Sequence, residues 1–593
     1  MPGRYLALGG VMLDPRAPEH QILSSAICHV RSVRAHLGAY GRRIGAPQTP
    51  EELSAALNEI AKACQVRPLG DDMSLGGKVA RMLDPRWWSR NLRHELLREN
   101  ESIEHAQCRI KRKTACYASN HAVIRRSARE KLTREILENL EAVNEDGDAV
   151  NLLEAADASV SNPKLRRSEL MVRCRGFEEV ATFVGHEAVF LTITCPSRFH
   201  RFNGQGLPNP LWTGATPSDA QRYLCTVWAR IRAEWKRQGI SPYGFRVAEP
   251  HHDGCPHWHI LLFAPAHQVG WFVPRRAVAG REDAGAGLVG VAGTYALADS
   301  PEEKGAMKHR FSCERIDTAK GSATGYIAKY ISKNIDGLKD DGSSVGLDFA
   351  SGSNADTSCS RVRTWASVWR IRQFQQIGGP SVTVWRELRR LDADAQAQGN
   401  AQRELIEHPR SAADRGLWSV FWLLQGGPET LRQAHSLKPF YETTDRGRYG
   451  DQRRRVKGVC CTTESGTYAT VTRQHEWKVQ RAGKAEVDML QAEWRHHLNF
   501  RRTNVDFIAA YERAEAQRSS EAASTWTGVN NCTATKRDDY GAVSRPACTS
   551  ASARPERGGL ADLSNNEVPK LMSLRMPLPA TIGYTRRAGD AIN

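Results

Sequence analysis

Cysteine is scarce in this chain, and it is spaced wrongly for a metal ribbon or a disulfide framework. Fourteen cysteines are scattered over 593 residues from Cys28 to Cys548, with no CxxC pair; Cys460 and Cys461 are adjacent, and Cys108 and Cys116 lie eight apart. Dense disulfide scaffolds and zinc ribbons are thereby excluded, and reduced thiols in a cytoplasm are the simplest account. No run of about eighteen or more apolar residues occurs, so no membrane span and no membrane partner are expected. The opening MPGRYLALGGVMLDPRAPEH lacks the basic start, long apolar stretch and small-residue cleavage site of a signal peptide, so a soluble, cytoplasmic protein is expected. There is no GxxxxGK[ST] phosphate loop, so ATP-driven strand separation is not expected from these residues. Internal repeats are also missing.

Positive charge is what the chain has in excess. Lys and Arg outnumber Asp and Glu by 83 to 66, a formal net charge of +17. Such an excess favours a polyanionic partner, with nucleic acid the default and a merely soluble surface the plain alternative. A length of 593 residues implies several domains. Residues 1–174 read as a helical, basic region. In it, Trp87 and Trp88 beside Arg86 and Arg90 could stack on bases, although filling a core is the commoner use of such a pair. Residues 175–350 change character and read as α+β, a central antiparallel sheet with packed helices. The pattern is a strand in AVFLTITCPSRFHRF from Ala188, an amphipathic helix over Asp219–Gln238, and a hairpin of Tyr243–Pro250 and Pro256–Phe263 turned by Asp253-Gly254. After a Gly- and Ala-rich insertion at 264–308 come a strand in His309–Asp317 and a helix over Gly325–Asp336, opened by Ser322 or Thr324 and closed by Gly337. Residues 351–514 read as helical again, with Trp365, Trp369 and Trp385 in basic surroundings. The tail, 515–593, has the composition of a disordered segment.

Two constellations carry chemistry. In His257-Trp258-His259, strand alternation puts both imidazoles on one face and Trp258 on the other. Glu249 ends the preceding strand eight positions earlier, and antiparallel pairing can bring its carboxylate to them. Two neutral nitrogens and a carboxylate leave coordination positions open for water and substrate, and suit Mg²⁺ or Mn²⁺ beside a phosphate. The same set could hold zinc, which would point to a hydrolase. Two half-buried structural histidines are the plain alternative. His251 and His252 fall in the turn, where solvation is expected and contact with DNA is the alternative. The second constellation is Tyr326 and Tyr330, whose spacing of four puts both phenols on one helical face, with Lys329 and Lys333 on an adjoining one. Such pairs usually pack. Next to a metal ion, however, a cation and an ammonium group can favour the phenolate that nucleophilic attack needs. Thr192 and Thr194 share a face that could line the DNA side of the sheet; support of the neighbouring histidine strand is the preferred role.

The strings FLTITCPSRFH, GFRVAEPHHDGCPHWHILLF and ATGYIAKYISKNIDG, in that order, resemble the three motifs of HUH endonucleases, and more specifically those of the bacteriophage replication gene A protein family of two-tyrosine rolling-circle initiators. MLDPRWWSRNLR and WRIRQFQQIGGPSVTVWRELRR resemble that family too. The resemblance implies that His257 and His259 bind the metal, with Glu249 as third ligand, and that Tyr326 and Tyr330 are the nucleophiles. It further implies that Lys329 stabilises phosphate or phenolate charge, that the product is a 5′-phosphotyrosine with a free 3′-hydroxyl, and that phage or prophage DNA replication begins from that end. The substrate implied is single-stranded origin DNA, and a host replicative helicase is the implied partner. A plasmid relaxase or transposase of the same chemistry and a non-catalytic DNA-binding protein are the rival readings.

Overall fold

The computed structural model describes residues 13–481, apart from 42–49, 113, 271–285, 318, 320, 339–354, 392–399, 445–446 and 464–465. The expected disordered tail at 515–593 lies outside the described residues, as does part of the 264–308 segment. None of the described helices is long and apolar enough to cross a membrane.

The N-terminal part is built of helices α1 (Glu19–Gly41), α2 (Pro50–Ala63), α3 (Leu75–Met82), α4 (Pro85–Ala106) and α5 (Asn120–Glu138). Local signals start several of them. Ser74 caps α3, Asp84 followed by Pro85 opens α4, and Ser119 caps α5, each side chain accepting a backbone N–H of the first turn. Trp87 and Trp88 are buried with Ile22, Val30, Leu57 and Leu92, and the Trp88 indole donates to the Met82 carbonyl at 2.8 Å. They fill a core and do not offer a stacking surface. A short hairpin, β1 (Leu140–Val143) and β2 (Ala149–Asn151), and helices α6 (Leu152–Asp157) and α7 (Pro163–Val184) follow.

A five-stranded sheet lies at the centre. Its strands are β3 (His186–Thr194), β4 (Tyr243–Pro250), β5 (Pro256–Pro265), β6 (Phe311–Arg315) and β7 (Phe374–Ile377), in the order β6-β3-β5-β4-β7 and antiparallel throughout. Between them run α8 (Pro217–Arg237), α9 (Ala266–Val269), α10 (Gly287–Leu297), α11 (Ala306–His309), α12 (Ala323–Ile335) and α13 (Ala355–Trp369). Alternate side chains go to opposite faces. Val189, Leu191, Ile193, Trp258, Ile260 and Leu262 join a core with α8 and α10. Phe190, Phe245, Leu261 and Phe263 join a second core with α7 and α12. Burial on both faces explains why β5 reads as the unbroken apolar run ILLF rather than alternating. At Gly244 the strands approach so closely that a Cβ would stand 1.9 Å from the Leu261 carbonyl oxygen, so only glycine fits.

Within the Gly- and Ala-rich insertion at 264–308, α10 buries Leu288, Val289, Val291 and Ala292 against α8 and the sheet. Small residues there reflect tight packing. One expectation needs correction: the described part of 351–514, which ends at 481, is not wholly helical. After α13, β7 completes the central sheet, and α14 (Val382–Leu388), α15 (Asn400–Asp414) and α16 (Trp418–Leu423) lead into a three-stranded antiparallel sheet of β8 (Leu437–Thr444), β9 (Arg453–Thr463) and β10 (Gly466–Val471). Strand β11 (Lys478–Arg481) returns to pair with β1. In β9 the exposed run Arg453, Arg454 and Arg455 masks the two-residue period that marks a strand. Trp365, Trp369 and Trp385 are buried core residues.

Candidate functional site

The hairpin of β4 and β5 sets Glu249 directly opposite His257, and β3 sets Thr192 opposite His259. Alternation turns Glu249, His257 and His259 to the face covered by α12, while Trp258 is sealed on the other face, its indole donating to Gln221 at 3.1 Å. His257 Nε2 and His259 Nε2 are 2.9 Å apart, and Glu249 Oε2 lies 3.9 Å from the first and 3.6 Å from the second. One donor atom from each falls within 4.8 Å of the others. Donors at about 2.1 Å from a common ion stand about 3.0 Å apart at right angles and about 3.4 Å apart in a tetrahedron, so this spacing could hold a metal ion. The chemistry of the donors fits as well. Burial, reinforced by the neighbouring His251 and His259, pushes the His257 imidazole well below its usual value, which keeps it neutral. Burial alone would raise the Glu249 carboxyl, but the His259 hydrogen bond and the Lys333 charge hold it below the usual range, so it is ionised.

Each ligand candidate is fixed by a neighbour. Thr192 Oγ1 meets His259 Nδ1 at 3.1 Å, which leaves Nε2 toward the other two donors. The His259 ring also stacks on Phe190 at 5.7 Å and 21°. Asn334, on α12, donates from Nδ2 to Glu249 Oε1. His251 is not a solvated turn residue. Its ring lies 4.0 Å from that of His257, its Nε2 has no hydrogen-bond partner, and burial followed by the His200 charge brings it down to about 3. The turn is held from beneath by Asp253, whose side chain accepts from the Cys255 N–H at 3.0 Å and lies 3.3 Å from His200 Nδ1.

Helix α12 carries both tyrosines. Ser322 caps it, accepting from the Gly325 N–H at 2.9 Å, and the Glu178 carboxylate of α7 accepts from the N–H groups of Ala323 at 2.6 Å and Thr324 at 3.0 Å. Ile327, Ile331 and Ile335 anchor its underside. The Tyr330 ring lies 4.1 Å from that of His259, at 31°, and 5.5 Å from Phe190; Tyr326, one turn earlier, is 6.3 Å from Phe190 and 39% exposed. Burial pushes the Tyr330 phenol up, with Glu249 and Glu314 adding to the effect and Lys333 opposing it. Of the two lysines, Lys333 acts on the Glu249 carboxyl, and Lys329 is exposed on the same helix. The chain thus brings Glu249, His257, His259 and Tyr330 together, with Tyr326 at the open edge. Asn334 escaped the sequence reading, which gave Thr192 only a general support of the histidine strand and set His251 in a solvated turn. Asn334 left a trace there, four positions after Tyr330 and eight after Tyr326 on the same helical face.

Comparison with known proteins places these residues in a named context. The family model described as bacteriophage replication gene A protein matches residues 28–338. The chain is 39% identical over 415 residues to the replication gene A protein of Escherichia phage 186, covering 69% of this chain and 57% of that one. It is 35% identical to the replication protein of Haemophilus phage HP1, covering 80% of this chain and 56% of the other. It is 36% identical to a probable replication endonuclease from a prophage-like region of Salmonella paratyphi A, covering 70% and 50%. The chain therefore spans about half the length of these curated relatives. No solved structure matches it.

Proposed function

The chain belongs to the bacteriophage replication gene A protein family, and from that membership and the geometry of its site we propose that it is a metal-dependent, site-specific single-strand DNA endonuclease and strand transferase of the HUH type. The carrying observation is the meeting of the Glu249, His257 and His259 donors with the ring of Tyr330, 4.1 Å from His259. That one relative is a probable replication endonuclease supports the same reading. Mg²⁺ or Mn²⁺ held by the three donors would supply positive charge at the scissile phosphate. A phenol oxygen of Tyr326 or Tyr330 attacks phosphorus and its proton passes to solvent. The bond to the 3′ oxygen breaks, and that oxygen leaves as a protonated 3′-hydroxyl. The 5′-phosphate stays on the tyrosine, and the linkage conserves the phosphodiester for rejoining without ATP. The free 3′-hydroxyl primes rolling-circle synthesis of a phage or prophage, with a host replicative helicase opening the duplex. Two phenols one turn apart on one helix suit successive cleavages at the start and end of a round.

The test is a denaturing gel. The full chain is incubated with single-stranded fragments of the replicon that encodes it, plus Mn²⁺, and assayed for a protein–DNA adduct that survives denaturation. The wild type is expected to form it, and Tyr326→Phe with Tyr330→Phe to abolish it. An adduct that survives the double substitution, or cleavage to free products with no adduct, refutes the proposal.

A further inference from the structure

Asn334 stands where the two halves of the site meet. It is only 1% exposed and sits on the same face of α12 as Tyr326 and Tyr330. Its Nδ2 donates both to Glu249 Oε1 and to the Tyr330 carbonyl, at 2.6 Å for the latter. Its Oδ1 accepts from Gln373 Nε2 at 3.3 Å. The orientation of the amide follows from these partners: a carboxylate and a carbonyl can only accept, so the nitrogen must face them. Gln373 is itself buried and fixed to the sheet, its carbonyl accepting from the Ala248 N–H at 2.7 Å. With Oε1 engaged by Asn334, Glu249 turns its other oxygen, Oε2, toward the two imidazoles.

We infer that Asn334, steadied by Gln373, is a positioning residue that sets one Glu249 oxygen toward the cation and at the same time fixes the tyrosine helix against the histidine strand. The inference rests on the metal reading above. Groups that orient a ligand commonly contribute about 10–100-fold to metal affinity. Asn334→Leu keeps the approximate volume and removes the donor. In the full chain without DNA, it is expected to raise the dissociation constant for Mn²⁺, followed by electron paramagnetic resonance of the free ion, by about 10–100-fold. With Mn²⁺ saturating, the rate of adduct formation should still fall short of wild type, because the helix has lost its tie. Gln373→Leu should shift both readouts in the same direction by less. A merely structural asparagine would lower the melting temperature yet leave Mn²⁺ affinity and the saturated rate within about twofold, and that result overturns the inference. If Asn334→Leu fails to fold, Gln373→Leu decides alone: unchanged Mn²⁺ affinity overturns it. The two readings fail differently. Mn²⁺ binding that survives His257→Ala with His259→Ala sinks the metal site itself. Loss of binding in that double variant, with full binding in Asn334→Leu, sinks only the role given to Asn334.

Discussion

Thr192→Val isolates one contact that the register of the sheet creates. The Thr192 hydroxyl faces His259 Nδ1 at 3.1 Å. If Nε2 offers its lone pair to a cation, Nδ1 carries the proton and the hydroxyl accepts it. Valine keeps the branched shape and deletes the acceptor. Loss of a neutral hydrogen bond is worth about 1 kcal/mol, or roughly fivefold in an equilibrium constant, and a buried N–H left without a partner raises the cost toward about 2–3 kcal/mol. Packing restrains the ring even without the hydroxyl, because His259 lies against Phe190 at 5.7 Å and Tyr330 at 4.1 Å. The lower half of the range therefore applies, and Mn²⁺ affinity is expected to fall about 5–30-fold. Calorimetric titration of the full chain at pH 7.5 measures it, with melting in chelator as the check on folding. Thr194→Val is the internal control. Thr194 pairs opposite His257, but the Nδ1 of that ring has no hydrogen-bond partner, so affinity should not move. Equal Mn²⁺ affinity in wild type and Thr192→Val would refute the orientation argument.

Two further predictions concern the scaffold. Burial brings His29 down to about 4, where it packs 4.8 Å from the Trp88 ring and meets Ser25 Oγ at 3.1 Å. The unfolded chain takes up that proton near the ordinary pKa of about 6.5, so stability is full above that pH and drains as pH falls toward 4, by about 1.4 kcal/mol per unit and about 3 kcal/mol at most. Urea unfolding at pH 7.5 and 4.5 should show a smaller acid loss in His29→Leu than in wild type; equal losses would contradict the assignment. Gly244→Ala would place a methyl 1.9 Å from the Leu261 oxygen on the neighbouring strand, backbone that cannot step aside, and should cost about 2–4 kcal/mol in urea unfolding. A change below about 0.5 kcal/mol would show that the strands can part there.

What was legible in the sequence was local. The hairpin Tyr243–Pro250 and Pro256–Pro265, the capped helix from Ala323 and the alternation that separates Trp258 from the histidines all follow from neighbouring residues, and each is present within a residue or two of its expected limits. What escaped depends on partners far away in the chain. Nothing near Asn334 announces Glu249, 85 positions earlier, and the orientation of His259 waits on Thr192, 67 positions away. The strands after 370 were missed for a different reason. β9, the central strand of its sheet, begins with three exposed arginines, where charge replaces the apolar alternation that would betray a strand. The Gly- and Ala-rich insertion gave no sign of α10, because Gly and Ala occur both in loops and at close helix contacts, and only the partner surface separates the two.

The attachment of α12 bears on how, under the proposed mechanism, two tyrosines could share one metal site. Helix α7 holds it at both ends: Glu178 accepts from the first N–H groups, and Arg167 pairs with Asp336 at 2.9 Å and donates to the Leu338 carbonyl. Between those points Ile327, Ile331 and Ile335 are buried and Asn334 is tied to Glu249. Moving the helix by one turn, about 5.4 Å, to exchange Tyr326 for Tyr330 would break all of these together. Under the proposed mechanism the exchange therefore falls to the DNA strand, which must reach the exposed Tyr326 and the half-buried Tyr330 from a fixed helix. Releasing one anchor with Glu178→Gln should then weaken adduct formation through both tyrosines alike, measured in the two single phenylalanine backgrounds. A loss confined to one tyrosine would mean that the helix shifts between cleavages.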